Sequence, residues 1–106
     1  MKNPLVSVLL PVYNSELYIY DALISITKQT YQNLEILIIL NGTSDSSLLE
    51  INKIKDFRIK VINIKESIGL IKALNIGLSE SKGKYIVRMD ADDISYQNRI
   101  EKQIEY

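Results

Sequence analysis

The chain contains no cysteine and no histidine among its 106 residues. Without cysteine there is no disulfide framework and no thiolate nucleophile. Without histidine there is no imidazole acid–base catalyst, no Ser-His triad and no histidine metal ligand. Any proton transfer must therefore come from carboxylate, lysine or tyrosine side chains.

The sequence also lacks an excess of either charge and any long apolar run. Lys+Arg and Asp+Glu both number 13, so the formal net charge is zero. Because no net positive charge attracts the chain to nucleic acid, we expect no nucleic-acid partner. The first apolar run, residues 5–12, is too short to be a transmembrane segment, and no signal peptide is visible. We expect a cytoplasmic protein. Association with the inner face of the membrane, through a partner, stays an open alternative.

The remaining composition is typical of a globular protein, with 46% hydrophobic and 25% charged residues. A chain of this length forms one domain, residues 1–106, and buries roughly 65% of its unfolded surface. Short apolar runs predict strands, and apolar residues spaced three or four apart predict helices. The predicted strands cover residues 5–12, 34–40, 58–64 and 85–89. The predicted helices begin near Asn14 or Ser15, near Ser44 or Asp45, and at Gly69, and a fourth covers 96–106.

This βα alternation predicts an α/β domain with three α/β/α layers and a mostly parallel sheet. Pro11 is expected to stop the first strand. The second strand is nearly all apolar and should be central, whereas the mixed third strand should lie nearer an edge. Leu70, Leu74 and Leu78 are expected to form the inner face of the third helix.

Polar residues and glycine follow every predicted strand, at 11–15, 41–45, 65–69 and 90–93. In parallel α/β sheets, ligands bind beyond the carboxyl ends of the strands. The fourth of these loops contains Asp90, Asp92 and Asp93. Crowded carboxylates repel one another unless a cation lies between them, and their oxygens suit Mg²⁺ or Mn²⁺, which hold phosphate oxygens. The loop therefore predicts a metal-assisted site for a phosphorylated ligand.

Two other interpretations of the acidic loop stay open. It can be a solvated turn whose carboxylates or serine cap the helix over 96–106. It can also be a calcium-binding EF-hand loop, with Asp90, Asp92 and Glu101 at positions 1, 3 and 12, although Ile94 and Ser95 occupy positions that need an oxygen ligand and glycine.

Seven segments, in order, resemble the family 2 glycosyltransferases. They are VSVLLPVYN at 6–14, QTY at 29–31 with LEI at 34–36, NGTSD at 41–45, GLIKALNIG at 69–77, GKYIVRMDADD at 83–93, SY at 95–96 and RIEKQ at 99–103. The resemblance covers nearly the whole chain. It implies the GT-A fold of nucleotide-diphospho-sugar transferases, with this chain as the N-terminal, donor-binding half.

The resemblance also implies an activity. Members of this family transfer a sugar from a nucleotide-diphospho-sugar to a glycan or lipid-linked acceptor, usually with Mg²⁺ or Mn²⁺, and invert the anomeric centre. The expected role is polysaccharide biosynthesis for the cell envelope.

By resemblance, Tyr13 would stack on the nucleotide base, with Asp90 near the ribose and Asp92 on the metal. Leu40 stands where the family usually has an aspartate that accepts a hydrogen bond from the base, and the adjacent Asn41 is expected to substitute. The full nucleotide-binding set is Pro11, Tyr13, Asn14, Asn41, Lys72, Asp90, Ala91 and Asp92. The metal set is Asp90, Asp92 and Asp93.

Simpler roles exist for several of these residues. Tyr13 can be a partly buried aromatic at a strand end, and Asn14 can cap a helix. Gly69 can be a turn residue, Lys72 a surface lysine, and Asn75 a link between loops.

The resemblance assigns the catalytic base to an acidic residue of the C-terminal half. We therefore expect the chain to stop before the acceptor-binding half, with Asp93 as a weak candidate base only. The alternative function is a non-catalytic nucleotide-binding or association module. A phospho-receiver domain is excluded, because its first and third strands would end in acidic residues rather than PVY and INI. Apolar surface left bare by a missing half favours a homo-oligomer.

Overall fold

The computed structural model describes residues 3–91 and 100, and seven elements alternate between strand and helix. The strands are β1 (Val6–Val12), β2 (Leu34–Asn41), β3 (Ile59–Ile64) and β4 (Tyr85–Arg88). The helices are α1 (Ile19–Thr27), α2 (Ser47–Asn52) and α3 (Leu70–Glu80). The alternation confirms the predicted α/β class. The helix predicted over 96–106 lies outside the described residues apart from Ile100.

All strand pairs within the described part of the chain are parallel, in the order β3-β2-β1-β4. Every residue of β2 is buried, as its apolar run predicts for a central strand. β3 lies at one edge, as its mixed polarity predicts, and β4 at the other. The chain therefore moves outward from β1 to β3 and then returns to the other side of β1.

The helices cover both faces of the sheet, which gives three layers. On one face, α1 and α2 pack with alternate strand residues in the larger core cluster, whose buried strand members are Val6, Val8, Leu10, Val12, Leu34, Ile36, Ile38, Leu40 and Val87. On the other face, Ala73 of α3 packs with Leu9, Leu37 and Ile39. Ile100 is fully buried in the larger cluster.

Pro11 does not stop β1, which continues to Val12. The Leu9 carbonyl oxygen accepts a hydrogen bond from the Met89 backbone N–H at 3.0 Å, so the odd-numbered residues of β1 direct their polar groups toward β4. Pairing with β4 ends at Leu9 opposite Arg88. Pro11 therefore lies just beyond the paired part of the β1–β4 ladder, and its missing N–H is consistent with the pairing ending there.

The inner face of α3 differs from the prediction. Ala73 and Gly77 are buried, whereas Leu70 and Leu78 are about half exposed and only Leu74 packs against the core as expected. A Cβ at Gly77 would lie 2.8 Å from Ile39 Cδ1. Small residues therefore let α3 approach the sheet more closely than a leucine face would.

Several apolar side chains of α3 and β4 are exposed, with Ile71 at 76% and Ile86 at 41%. These exposed side chains agree with the expectation of apolar surface left bare by a missing half. The homo-oligomer stays a prediction. No helix within residues 3–91 is long and apolar enough to cross a membrane.

Candidate functional site

A cleft of about 480 Å³ lies at the carboxyl edge of the sheet, where the loops after β1, β2 and β4 meet the start of α3. Parallel strands place their carboxyl ends along one edge, so segments far apart in sequence converge there. Its walls include six residues of the predicted nucleotide-binding set: Pro11, Tyr13, Asn14, Asn41, Asp90 and Ala91.

The loop after β1 is fastened to the loop after β2. Asn14 has a left-handed backbone with φ of 46°, and its Oδ1 accepts a hydrogen bond from the Ser44 backbone N–H at 2.8 Å. The Thr43 hydroxyl donates to the Val12 carbonyl oxygen at 3.1 Å. Asn14 is thus a tie between loops rather than the helix cap predicted as one alternative. Tyr13 remains 60% exposed at the cleft, so its ring is accessible to a ligand.

Asp45 extends this connection at the starts of two helices, which begin later than predicted. Its carboxylate accepts hydrogen bonds from the Ser47 backbone N–H at 2.9 Å, the Ser47 hydroxyl at 2.6 Å and the Glu16 backbone N–H at 3.1 Å. Burial raises the pKa of Asp45, but these hydrogen bonds outweigh it, so its pKa lies below the ordinary value. Asp45 thus bonds to the first residue of α2, which begins at Ser47, and to the loop that precedes α1, which begins at Ile19.

Asn41 holds the third loop against the end of β2. Its Oδ1 accepts a hydrogen bond from the Ile68 backbone N–H at 3.0 Å, and its Nδ2 donates to the Gly69 carbonyl oxygen at 3.3 Å. The preceding Leu40 is buried in the core at 2% exposure. The structure therefore gives the Asn41 side chain a positioning role, and its contact with a nucleotide base stays a prediction.

Gly42 allows the same loops to approach closely. Its φ is +71°, and a Cβ there would lie 2.4 Å from the Ser67 backbone nitrogen. Any other residue would combine left-handed backbone strain with a clash against backbone.

Arg88 and Asp90 form an ion pair at the cleft, with Nη2 to Oδ1 at 3.1 Å. Both side chains are about half exposed, at 48% and 54%. Solvent screening limits such a pair to about 0–1 kcal/mol. Between them, Met89 is buried at 1% and anchors the backbone.

Asp90 fits a divalent cation as one ligand, because it is an accessible carboxylate at the edge of the sheet where the loops converge. The other predicted ligands, Asp92 and Asp93, lie outside the described residues, as does Glu101 of the EF-hand alternative. Within residues 3–91 and 100, no group of three acidic, histidine or cysteine side chains is close enough to hold a metal.

The structure also separates one predicted residue from the others and adds some that the sequence did not suggest. Lys72 is exposed in the first turn of α3 and is absent from the cleft wall, so its contact with the nucleotide stays a prediction. Tyr18 and Arg88 line the cleft. Arg88 had a detectable signal, since it ends a strand two residues before Asp90.

A buried carboxylate network lies at the opposite, amino edge of the sheet. Glu35 Oε2 accepts hydrogen bonds from the Ser7 hydroxyl at 2.6 Å and the Lys82 backbone N–H at 2.8 Å, and Oε1 accepts one from Lys60 Nζ at 3.1 Å. The Gly83 backbone N–H donates to the Ser7 hydroxyl at 2.8 Å. The network therefore fixes the turn that leads into β4. It was not predicted, because Glu35 stands within an otherwise apolar run.

Comparison with known proteins now adds to this geometry. The sequence model described as Glycosyl transferase family 2 matches residues 7–106. An uncharacterized glycosyltransferase of Haemophilus influenzae is 51% identical over all of this chain and 34% of its own length. The Escherichia coli protein WfgD, a UDP-Glc:alpha-D-GlcNAc-diphosphoundecaprenol beta-1,3-glucosyltransferase, is 36% identical over 98% of this chain and 41% of its own length. The chain thus spans about a third to two fifths of these relatives.

Two solved structures share the fold. Residues 1–349 of TarS from S. aureus, in complex with UDP-GlcNAc, match with a TM-score of 0.88 at 26% identity, over 94% of this chain and 30% of that one. The mannosyltransferase PcManGT from Pyrobaculum calidifontis, in complex with GDP-Man and Mn²⁺, matches with a TM-score of 0.92 at 23% identity, over 100% of this chain and 33% of that one. The second likeness bears on the fold alone.

Proposed function

The chain belongs to glycosyl transferase family 2, and from that premise we propose that its cleft binds the nucleoside diphosphate part of a sugar-nucleotide donor. The observation that carries the proposal is the convergence of six of the eight residues assigned to the nucleotide on one cleft. These residues come from the carboxyl ends of three strands and the loops that follow them, so their convergence depends on the parallel sheet and not on proximity in sequence.

In this proposal the exposed ring of Tyr13 is the platform for the base, and the loops tied by Asn14 and Asn41 keep the cleft in shape. A rigid, preformed cleft loses little free energy to ordering when a ligand binds. Asp90 lines the same cleft, and in this proposal the diphosphate lies beside it when the base stacks on Tyr13.

Asp90 and Asp92, with Asp93 adjoining, are proposed to hold Mg²⁺ or Mn²⁺. When bound, a divalent cation acts as a Lewis acid that offsets the negative charge developing on the diphosphate leaving group. The residues of this chain would bind and orient the donor and keep its diphosphate at the carboxyl edge of the sheet.

The acceptor and the catalytic base belong to the whole protein. An acceptor hydroxyl needs a general base in the transition state. We propose that an acidic residue beyond residue 106 supplies it and that the sugar is transferred with inversion to a lipid-linked or glycan acceptor. WfgD, whose name specifies a diphosphoundecaprenol acceptor, supports the lipid-linked choice. The UDP-sugars in the names of WfgD and the TarS complex favour a uridine nucleotide.

The test is calorimetric titration of this chain with UDP, with and without Mn²⁺. We expect Mn²⁺ to strengthen UDP binding and Asp90→Asn to remove most of that gain, because the substitution replaces a charged ligand with a neutral one. Glu80→Gln is the matched control, since Glu80 is exposed at the last residue of α3, away from the cleft. UDP affinity that is independent of Mn²⁺ in all three proteins would refute the metal assignment, and no UDP binding at all would refute the proposed function.

A further inference from the structure

Arg88 is the one cationic side chain among the described residues that line the cleft. A nucleoside diphosphate brings at least two negative charges, which must be balanced when the ligand leaves water. Lys72 was predicted to bind the nucleotide, but it lies on the exposed surface of α3 and does not line the cleft.

The backbone of Arg88 is held firmly while its guanidinium group remains accessible. It pairs in register with Leu9 of the central strand β1, and the next residue, Met89, is buried and hydrogen-bonded to Leu9. The side chain, in contrast, is 48% exposed. Because the backbone is fixed and the guanidinium group is accessible, the side chain can contact more than one partner within the cleft.

One partner of Arg88 in this structure is Asp90, the only other charged residue among the described residues of the cleft wall. The pair is weak, because both side chains are about half exposed to solvent. A phosphate group binds the guanidinium more strongly than this exposed carboxylate does, since the planar guanidinium can donate two parallel hydrogen bonds to phosphate oxygens.

We propose that Arg88 exchanges partners when the donor binds. In the ligand-free cleft, Arg88 neutralises Asp90. On donor binding it turns to the diphosphate oxygens, and Asp90 becomes available to the divalent cation. Arg88 is thus a binding residue for the diphosphate and also a competitor of the metal for Asp90. This inference rests on the proposed function of the cleft.

The exchange makes two predictions of opposite sign for Arg88→Gln. Binding of UDP should weaken about tenfold, the effect of losing one strong charge-assisted hydrogen bond, whereas binding of uridine, which has no phosphate, should stay unchanged. Binding of Mn²⁺ alone should strengthen severalfold, because its competitor for Asp90 is gone. Lys84→Gln is the matched control, since Lys84 is exposed beside the amino end of the same strand, β4, and does not line the cleft.

The probes are UDP, uridine and Mn²⁺, titrated by calorimetry, with Mn²⁺ also followed by electron paramagnetic resonance. A weaker UDP affinity together with a stronger Mn²⁺ affinity, both absent from Lys84→Gln, would support the exchange. Unchanged UDP binding in Arg88→Gln would overturn the phosphate contact, and unchanged or weaker Mn²⁺ binding would overturn the competition. If either of these two outcomes is found while the unaltered chain binds both UDP and Mn²⁺, the exchange is refuted but the proposed function stands. If the unaltered chain binds neither, both fail together.

Discussion

Replacing Glu35 by glutamine should destabilise the protein at neutral pH without touching the cleft. Glu35 is 4% exposed, and its Oε2 accepts two hydrogen bonds, from the Ser7 hydroxyl and the Lys82 backbone N–H. A glutamine oxygen in the place of Oε2 can accept both of these bonds, whereas its NH2 group in the place of Oε1 cannot accept the bond from Lys60 Nζ. What is lost is the charge on the acceptor.

The magnitude follows from those two bonds. Hydrogen bonds to a charged partner are roughly twice as strong as neutral ones, so each loses about 1 kcal/mol. The smaller cost of burying a neutral amide offsets part of this. The Lys60 ion pair adds little, because the Lys60 side chain is 52% exposed. We expect a net loss of about 1–2 kcal/mol, which corresponds to about 5–10 °C in the melting temperature of a domain this size.

The pH dependence tests the cause. Burial raises the pKa of Glu35, but the hydrogen bonds from Ser7, Lys82 and Lys60, with the charge of Lys60, hold it below the ordinary value of 4.5. A lowered carboxyl pKa contributes stability that is fully present above that ordinary value and is lost as the pH falls through the folded-state pKa. Glutamine does not titrate, so the stability gap between the two proteins should narrow below pH 4.5.

The measurement is urea unfolding followed by circular dichroism from pH 3 to pH 8. Glu50→Gln is the control, because Glu50 forms an exposed surface pair with Lys53 at 2.7 Å and should change stability by less than about 0.5 kcal/mol. Equal stability of the Glu35→Gln and unaltered proteins at pH 7 would refute the network argument. A gap that persists undiminished at pH 3 would refute the role of the charge.

Two further substitutions test the loops that build the cleft. Gly42→Ala should destabilise the protein more than Gly69→Ala. Both glycines have positive φ, but a Cβ at Gly42 would meet backbone atoms, whereas a Cβ at Gly69 would have nothing within 4 Å. Urea unfolding that ranks the two variants in the opposite order would contradict this. Asn41→Ala should cost about 1–2 kcal/mol by leaving the Ile68 N–H without its partner, and should weaken UDP binding in calorimetry. Asn63→Ala, at the exposed edge strand β3, is its control and should change neither.

The strands were predictable because their signals are local. An eight-residue segment such as β2, buried on both faces, can be recognised from composition alone. The parallel arrangement then implies that the loops after the strands converge. The starts of α1 and α2 were not predictable, because Asn14 and Asp45 bond to partners about thirty positions away or across a turn rather than capping a helix.

Tertiary packing also explains the error in α3. Leucine is the usual residue at an inner helix face, but α3 lies so close to the sheet that even a Cβ at position 77 would meet Ile39 Cδ1 at 2.8 Å. In the cleft, the resemblance supplied Pro11, Tyr13, Asn14 and Asn41, all of which line it. Arg88 was not predicted as a cleft residue, because a charged residue at the end of a strand is often only a surface residue. Its ion pair with Asp90 places it at the cleft.

The order of the strands has a consequence for the timing of folding. β4, the last strand that the structure describes, pairs with β1, the first, and the Gly83–Ser7 bond joins residues 76 positions apart. A nascent chain that has emerged only as far as α3 can pair its first three strands, yet it still lacks the wall that contains Asp90. The cleft is therefore completed only when β4 closes onto β1, a step that is entropically slow because the contact is so distant in sequence. A fluorescent nucleotide added during refolding would report that last closure, and its signal should lag behind the far-ultraviolet signal of the helices.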